Sequence, residues 1–163
     1  MQGRRDKPNY YLDIAQTVAE RGTCVRRLFG AIIVKNDEII STGFNGAPRG
    51  RENCCDLNFC MRDKLNIPRG ERYELCRSVH AEANAIISAR RSDMIGADLY
   101  LVCIDPQSGA PVSGTSCCSM CKRLVINAGI QSIIVRDTYT DYRVIQTSEW
   151  IENDDSMSDS MGY

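Results

Sequence analysis

Apolar residues recur at helical spacing between Tyr10 and Glu20, where Leu12, Ile14, Ala15, Val18 and Ala19 fall on one stripe and Gly22 stops the segment. The period then changes. Ala31-Ile32-Ile33-Val34 is a β-branched run, Asn36-Asp37 is a turn signal, and Ile39-Ile40-Ser41-Thr42 returns, which together predict a β-hairpin. From Phe44 to about Gly70 periodicity gives way to Gly, Pro, Asn, Arg and Cys. A loop that long inside a compact domain is functional or is tied down by something. Ser78 to Arg91 predicts a helix, favoured by Ala81, Ala83, Ala85 and Ala89, with Ile86 and Ile87 for burial. Leu99 to Ile104 reads as a buried strand, and Asp105 to Ser116 as a loop with two prolines and two glycines. Ser119 to Asn127 predicts a second strong helix with Ala128-Gly129 as its stop. Ile133-Ile134-Val135 predicts a strand, and Val144 to Ile151 an edge strand. Strands and helices alternate around one core. The expectation is an α/β fold, a three-layer α-β-α arrangement with a mixed central sheet. Residues 1–152 form a single domain in this reading, and residues 153–163 a flexible acidic tail.

Length and composition fit that picture and exclude some functions. The 163 residues suit one core, and 43% hydrophobic with 25% charged residues is an ordinary globular balance. A formal net charge of −1 provides no basic field for nucleic acid, so an anionic small molecule would need local arginines. No apolar run is long enough to span a bilayer, and Met1 to Lys7 lacks the apolar stretch of a signal peptide. The expected location is the cytoplasm. Nine cysteines are many for such a chain, and in a reducing compartment they point to metal or catalysis.

The sole histidine stands in His80-Ala81-Glu82, and Cys118-Ser119-Met120-Cys121 follows downstream. Each motif opens a predicted helix, with a strand between them. A catalytic zinc takes three protein ligands and keeps one position for water. His80, Cys118 and Cys121 supply those three, and helix N-termini stabilise thiolates. Glu82 is not needed as a ligand, so it is free to shuttle protons from the water to a ring nitrogen and then to leaving ammonia. The combination is the signature of zinc-dependent nucleobase deaminases. A structural zinc knuckle is the bland alternative, but such sites normally close with four ligands. Cys117 stands next to Cys118 and could compete for the metal, although the spacing to Cys121 favours Cys118.

These motifs resemble the deoxycytidylate (dCMP) deaminases of the cytidine/deoxycytidylate deaminase superfamily. The likeness runs from about Tyr10 to Tyr139 and is best preserved over Ser78 to Ile86. Gly43-Phe44-Asn45-Gly46-Ala47-Pro48-Arg49-Gly50 is similar to the hallmark loop of that family, and Cys24-Val25-Arg26-Arg27 and Asn127-Ala128-Gly129-Ile130 fit it too. The family pattern has Pro where Cys117 stands here, and the stretch 105–114 is longer than the usual link and expected near the pocket. The resemblance implies hydrolysis of dCMP to dUMP and ammonia, which feeds thymidylate synthesis. It also implies a homo-hexamer, activation by dCTP usually with Mg²⁺, and inhibition by dTTP. Substrate contacts carried over are Asn45, Tyr139 as a ring closing the pocket, and backbone groups of Ala81 and Ser116. Gly46 and Arg49 are candidate effector contacts. Arg26, Arg27 and Arg49 are candidate phosphate anchors on physical grounds, because arginine grips phosphate bidentately. Some relatives hold a second, structural zinc; here that needs four cysteines, with Cys24, Cys54, Cys60 and Cys76 the choice and Cys55 an alternative to Cys54. Cys103 is expected to be packing. The rivals are zinc deaminases for cytosine, cytidine, guanine or tRNA adenosine, and a non-enzymatic zinc-stabilised module in which Glu82 is idle.

Overall fold

Helix α1 (Lys7–Ala19) starts three residues before the apolar stripe, because Asp6 caps it. The Asp6 side chain accepts the Asn9 N–H at 3.0 Å, and Pro8 sits in the first turn, where its missing N–H costs nothing. The computed structural model describes residues 3–154 and continues with the hairpin β1 (Leu28–Lys35) and β2 (Glu38–Phe44). Asn36 and Asp37 at its tip both have positive φ, 51° and 66°, as a two-residue hairpin turn demands. The unpatterned stretch that follows contains only short helical pieces, α2 (Cys54–Leu57), α3 (Met61–Lys64) and one 3-10 turn at Tyr73–Leu75. Beyond it lie α4 (Ala81–Ile87), α5 (Arg91–Met94), β3 (Asp98–Ile104) and α6 (Ser119–Ala128). The described chain closes with β4 (Ser132–Arg136), β5 (Tyr142–Gln146) and α7 (Thr147–Glu152).

The five strands lie in the order β2-β1-β3-β4-β5, with β3 and β4 parallel and every other pair antiparallel. The sheet is therefore mixed, as expected. Its two faces separate by the period of two along each strand. Ile32, Val34, Tyr100, Val102 and Ile134 face Leu12, Ala15 and Ala19 of α1. Ala31, Ile33, Leu99, Leu101, Ile133 and Val135 face the other way, beneath Ala81 and Ala85 of α4, Met94 of α5 and Val125 of α6. Helix, sheet and helix thus form three layers. Gly43 sets how closely α4 approaches: a Cβ there would lie 2.4 Å from both the Ala81 carbonyl oxygen and the Ala85 nitrogen.

Two segments depart from expectation. The helix predicted over Ser78–Arg91 begins only at Ala81 and breaks after Ile87, resuming as α5. The Ser88 hydroxyl donates back to the Asn84 carbonyl at 2.9 Å, a local bond that competes with helix continuation, and Arg90 is extended. The edge strand predicted over Val144–Ile151 is β5 to Gln146 and helix α7 thereafter. Thr147 makes the switch. Its N–H donates to Gln131 O at 3.0 Å and its hydroxyl to Ile130 O at 2.8 Å, which turns the chain so that Trp150 packs against the core. No helix among the described residues is long and apolar enough to cross a membrane. Nearly all of the expected acidic tail, residues 155–163, lies outside the described residues.

Candidate active site

Helices α4 and α6 begin side by side on one face of the sheet, and their first residues carry the metal-ligating groups. His80 is the N-cap of α4 and Cys118 the N-cap of α6, with Cys121 one turn further on. Nδ1 of His80 lies 3.4 Å from Sγ of Cys118 and 3.4 Å from Sγ of Cys121. All three ligand atoms fall within 4.8 Å of one another, the one such group of His, Cys, Asp or Glu among the described residues. A tetrahedral zinc with ordinary Zn–N and Zn–S bonds separates its ligand atoms by about 3.6 Å. The three residues therefore fit that ion.

Protons are shared across the triad, and a metal would displace those on His80 and Cys121, because ligands bind deprotonated. The Cys121 hydrogen bond is the main reason that the Cys118 thiol is brought down to about 4, with the His80 ring adding to it against the effect of burial. Cys121 is raised by the same shared proton and by burial. Burial opposes the charged form of His80, but hydrogen bonds to Cys118 and Cys76 outweigh it and hold the ring up at about 10. Glu82, in the first turn of α4, is only 3% exposed. Burial raises its proton affinity, with the His80 charge pulling the other way. Cys117 is buried and hydrogen-bonded to Glu82, and it stands outside the metal triad. Of the two adjacent cysteines, Cys118 is the one that stands with His80 and Cys121.

A cavity of about 250 Å³ opens in front of this group. Arg26, Arg27, Asn45, Ala81, Ser116, His80, Glu82 and Cys118 line it, which brings most of the expected substrate contacts to one place. Asn45 is largely committed to the scaffold. Its Oδ1 accepts the Phe29 N–H and its Nδ2 donates to Arg27 O, both at 2.9 Å, which leaves one N–H and one lone pair for a ligand. Gly46 is buried and pairs with Val79 just before His80, its N–H donating at 3.2 Å and its carbonyl accepting at 2.7 Å. Arg49 is exposed on the loop beyond and does not line the cavity. Tyr139 does not line it either. It is 55% exposed, and its carbonyl accepts a hydrogen bond from Arg5.

The four cysteines expected to hold a second metal lie in one neighbourhood but do not form a group within ligand distance. Cys24, Cys60 and Cys76 all line the cavity, but Cys54 is buried with its sulfur 4.0 Å from the Ser78 hydroxyl, and no set of four comes within ligand distance. Cys76 instead bonds to the His80 ring, which holds its thiol below the ordinary value despite burial. Cys55 is exposed. Cys103 is fully buried in β3 at the cavity wall, and burial pushes its thiol up to about 12. The insertion 105–114 folds upon itself: Asp105 Oδ1 accepts the Gln107 and Ser108 N–H groups at 2.9 and 3.0 Å, and none of its residues lines the cavity.

Sequence reasoning missed Arg62, Arg69, Tyr73 and Thr115, all of which line the cavity. Arg62 is 6% exposed, its Nη2 donates to Pro68 O and Glu71 O at 2.9 and 2.7 Å, and it stacks on the Tyr73 ring at 4.4 Å. The available signal was the recurrence of arginine in an aperiodic stretch that ends at His80.

Residues 5–136 match the family described as the cytidine and deoxycytidylate deaminase zinc-binding region. The chain is 35% identical over 136 residues to the deoxycytidylate deaminase of Mycobacterium phage D29, covering 80% of this chain and 94% of that one. It is 29% identical over 131 residues to the deoxycytidylate deaminase of Schizosaccharomyces pombe, covering 80% of this chain but only 37% of the yeast protein. Among solved structures, the dCMP deaminase of cyanophage S-TIM5 in its apo form superposes with a TM-score of 0.56 at 26% identity, over 80% of this chain and 82% of that one.

Proposed function

This chain belongs to the cytidine and deoxycytidylate deaminase zinc-binding family, and on that footing we propose that it hydrolyses dCMP to dUMP and ammonia. The observation that carries the reading is a single cavity that joins the His80, Cys118 and Cys121 triad, the buried Glu82 and four arginines, Arg26, Arg27, Arg62 and Arg69. Arg26 and Arg27 are paired with Asp63 and Asp105, but Arg62 and Arg69 have no ion pair among the described residues, and a nucleoside monophosphate has a use for that charge where a free base or nucleoside has none.

His80, Cys118 and Cys121 hold zinc, which when bound supplies a water acidic enough to serve as nucleophile near neutral pH. Glu82 would take one proton from that water and deliver it to the ring nitrogen adjacent to the amine-bearing carbon, then take the second from the hydroxyl added to that carbon and give it to the amine, which leaves as ammonia while the carbonyl forms. Its burial suits the task, because a carboxylate with raised proton affinity keeps the proton between the two transfers. Ala81 and Ser116, both on the cavity wall, present main-chain groups to the pyrimidine.

The reading extends to physiology. The product dUMP would supply thymidylate synthesis in the cytoplasm, with dCTP and Mg²⁺ as activator, dTTP as inhibitor and a homo-hexamer as the working form. Support for this part is the family likeness of the Gly43–Gly50 loop, which carries Gly46 and Arg49. Ammonia release from dCMP tests the reaction, with cytidine, cytosine and dCTP as alternative substrates and dCTP with Mg²⁺ as the added effector. Turnover confined to dCMP is expected. Turnover of cytidine or cytosine with none of dCMP would overturn the substrate.

A further inference from the structure

Four arginines border the cavity, but they are not equivalent. Arg26 is held by Asp63 at 2.9 Å and Arg27 by Asp105 at 3.5 Å, so each of those charges already has a carboxylate. Arg27 also donates to the Arg26 carbonyl at 2.9 Å. Arg62 and Arg69 have no ion pair among the described residues. Arg62 is the unusual one. It is 94% buried by the complement of its 6% exposure, its only acceptors are two main-chain carbonyls, and its Nε–H is buried with no partner at all. A buried guanidinium without an anion, with one donor left open, is costly unless something else completes it. Arg69 comes from the same segment and reaches the same cavity from its exposed rim.

We propose, resting on the reading of the substrate as a nucleoside monophosphate, that its phosphate is bound by Arg69 against the unpaired guanidinium of Arg62 in the cavity wall, while Arg26 and Arg27 serve as scaffold. The charge fits. A phosphate monoester carries close to two negative charges at neutral pH, and the two unpaired guanidiniums supply two positive ones. The placement fits as well. The face of Tyr73 takes Arg62 at 4.4 Å, and its edge meets the His80 ring at 5.3 Å. One aromatic ring therefore separates the anion site from the metal triad. The segment between Cys60 and Arg77, which has no regular pattern and only one short helix and a 3-10 turn, gains a role in this assignment: it is the phosphate wall of the cavity.

Steady-state kinetics of Arg69→Ala and Arg26→Ala on dCMP, with zinc content and inorganic phosphate binding by calorimetry on the same samples, decide the matter. A lost charge-assisted contact is expected to raise KM for dCMP in R69A by roughly 10-fold or more with kcat and zinc content retained. Phosphate binding should fall in parallel, and R26A should raise KM far less. Arg62→Lys, which keeps a charge but removes the planar guanidinium, should raise KM in the same direction. A larger KM effect in R26A than in R69A, an unchanged KM in R69A, or a fall in kcat together with zinc loss would overturn the assignment. If the wild type fails to turn over dCMP, the substrate reading falls. The phosphate site then stands or falls on whether phosphate binds the wild type and is lost in R69A.

Discussion

His80 and Cys118 are the N-caps of two different helices, and Nδ1 of the one faces Sγ of the other at 3.4 Å. The candidate metal centre is therefore a clasp between α4 and α6, and it sits directly on the core formed by Ala81, Ala85, Cys121 and Val125. A metal bound there ties catalysis to stability.

Chelation should consequently lower the thermal midpoint, because a ligand that binds only the folded state contributes about 4 kcal/mol at a thousandfold excess over Kd. Differential scanning fluorimetry with and without a chelator, followed by zinc addition, checks it. The midpoint should fall and recover. In Cys121→Ala it should start low and respond to neither.

Gly43 predicts a second effect at a distance from the chemistry. Any Cβ there drives into the Ala81 carbonyl and the Ala85 nitrogen, both main-chain atoms that cannot step aside. Gly43→Ala should cost about 1–3 kcal/mol or more, an overpacking penalty. It should also displace the start of α4, so urea midpoint and zinc affinity are expected to fall together. Loss of neither would show that α4 can slide without consequence.

Much of this was legible beforehand because it rests on local chemistry. The hairpin turn followed from Asn36-Asp37, the end of α6 from Gly129 at φ 83°, and the metal triad from two short motifs at helix starts. The stretch from Phe44 to Arg77 was not legible, because its order comes from contacts with distant residues. Asn45 is pinned to Phe29 and Arg27, Gly46 to Val79, and Arg62 to carbonyls several residues on. Cys24 together with Cys54, Cys60 and Cys76 of that stretch suggested a metal, yet spacing could not tell that Cys76 lies against His80 and Cys54 against Ser78. The switch from β5 to α7 escaped for a similar reason, since it depends on Thr147 finding the carbonyls of Ile130 and Gln131.

Arg136 supplies a pH-dependent prediction away from the site. It is 1% exposed, and its Nη2 donates to Asp13 Oδ1 at 2.7 Å. Burial alone would raise the Asp13 carboxyl, but hydrogen bonds from Arg5 and Arg136 outweigh it and hold it below its usual 3.8. A depressed carboxyl contributes stability that is complete above its unfolded value and is lost as pH falls through the folded one. Denaturant unfolding should therefore weaken below about pH 4, and Asp13→Asn should lose part of that acid sensitivity. The substitution itself should cost about 1–3 kcal/mol at neutral pH, less than a fully buried pair because Asp13 is half-exposed. An acid profile identical in wild type and variant would contradict the assignment.

The central claim, that this cavity deaminates dCMP through a proton-carrying Glu82 beside a zinc held by His80, Cys118 and Cys121, is tested most directly by one comparison. Wild type and Glu82→Gln are purified in parallel, zinc per chain is determined on each, and dUMP formed from dCMP is followed with time. The account predicts equal zinc and a kcat lowered about 10²- to 10⁴-fold, the usual contribution of a positioned acid–base group. Equal zinc with turnover within a few-fold of wild type would contradict it.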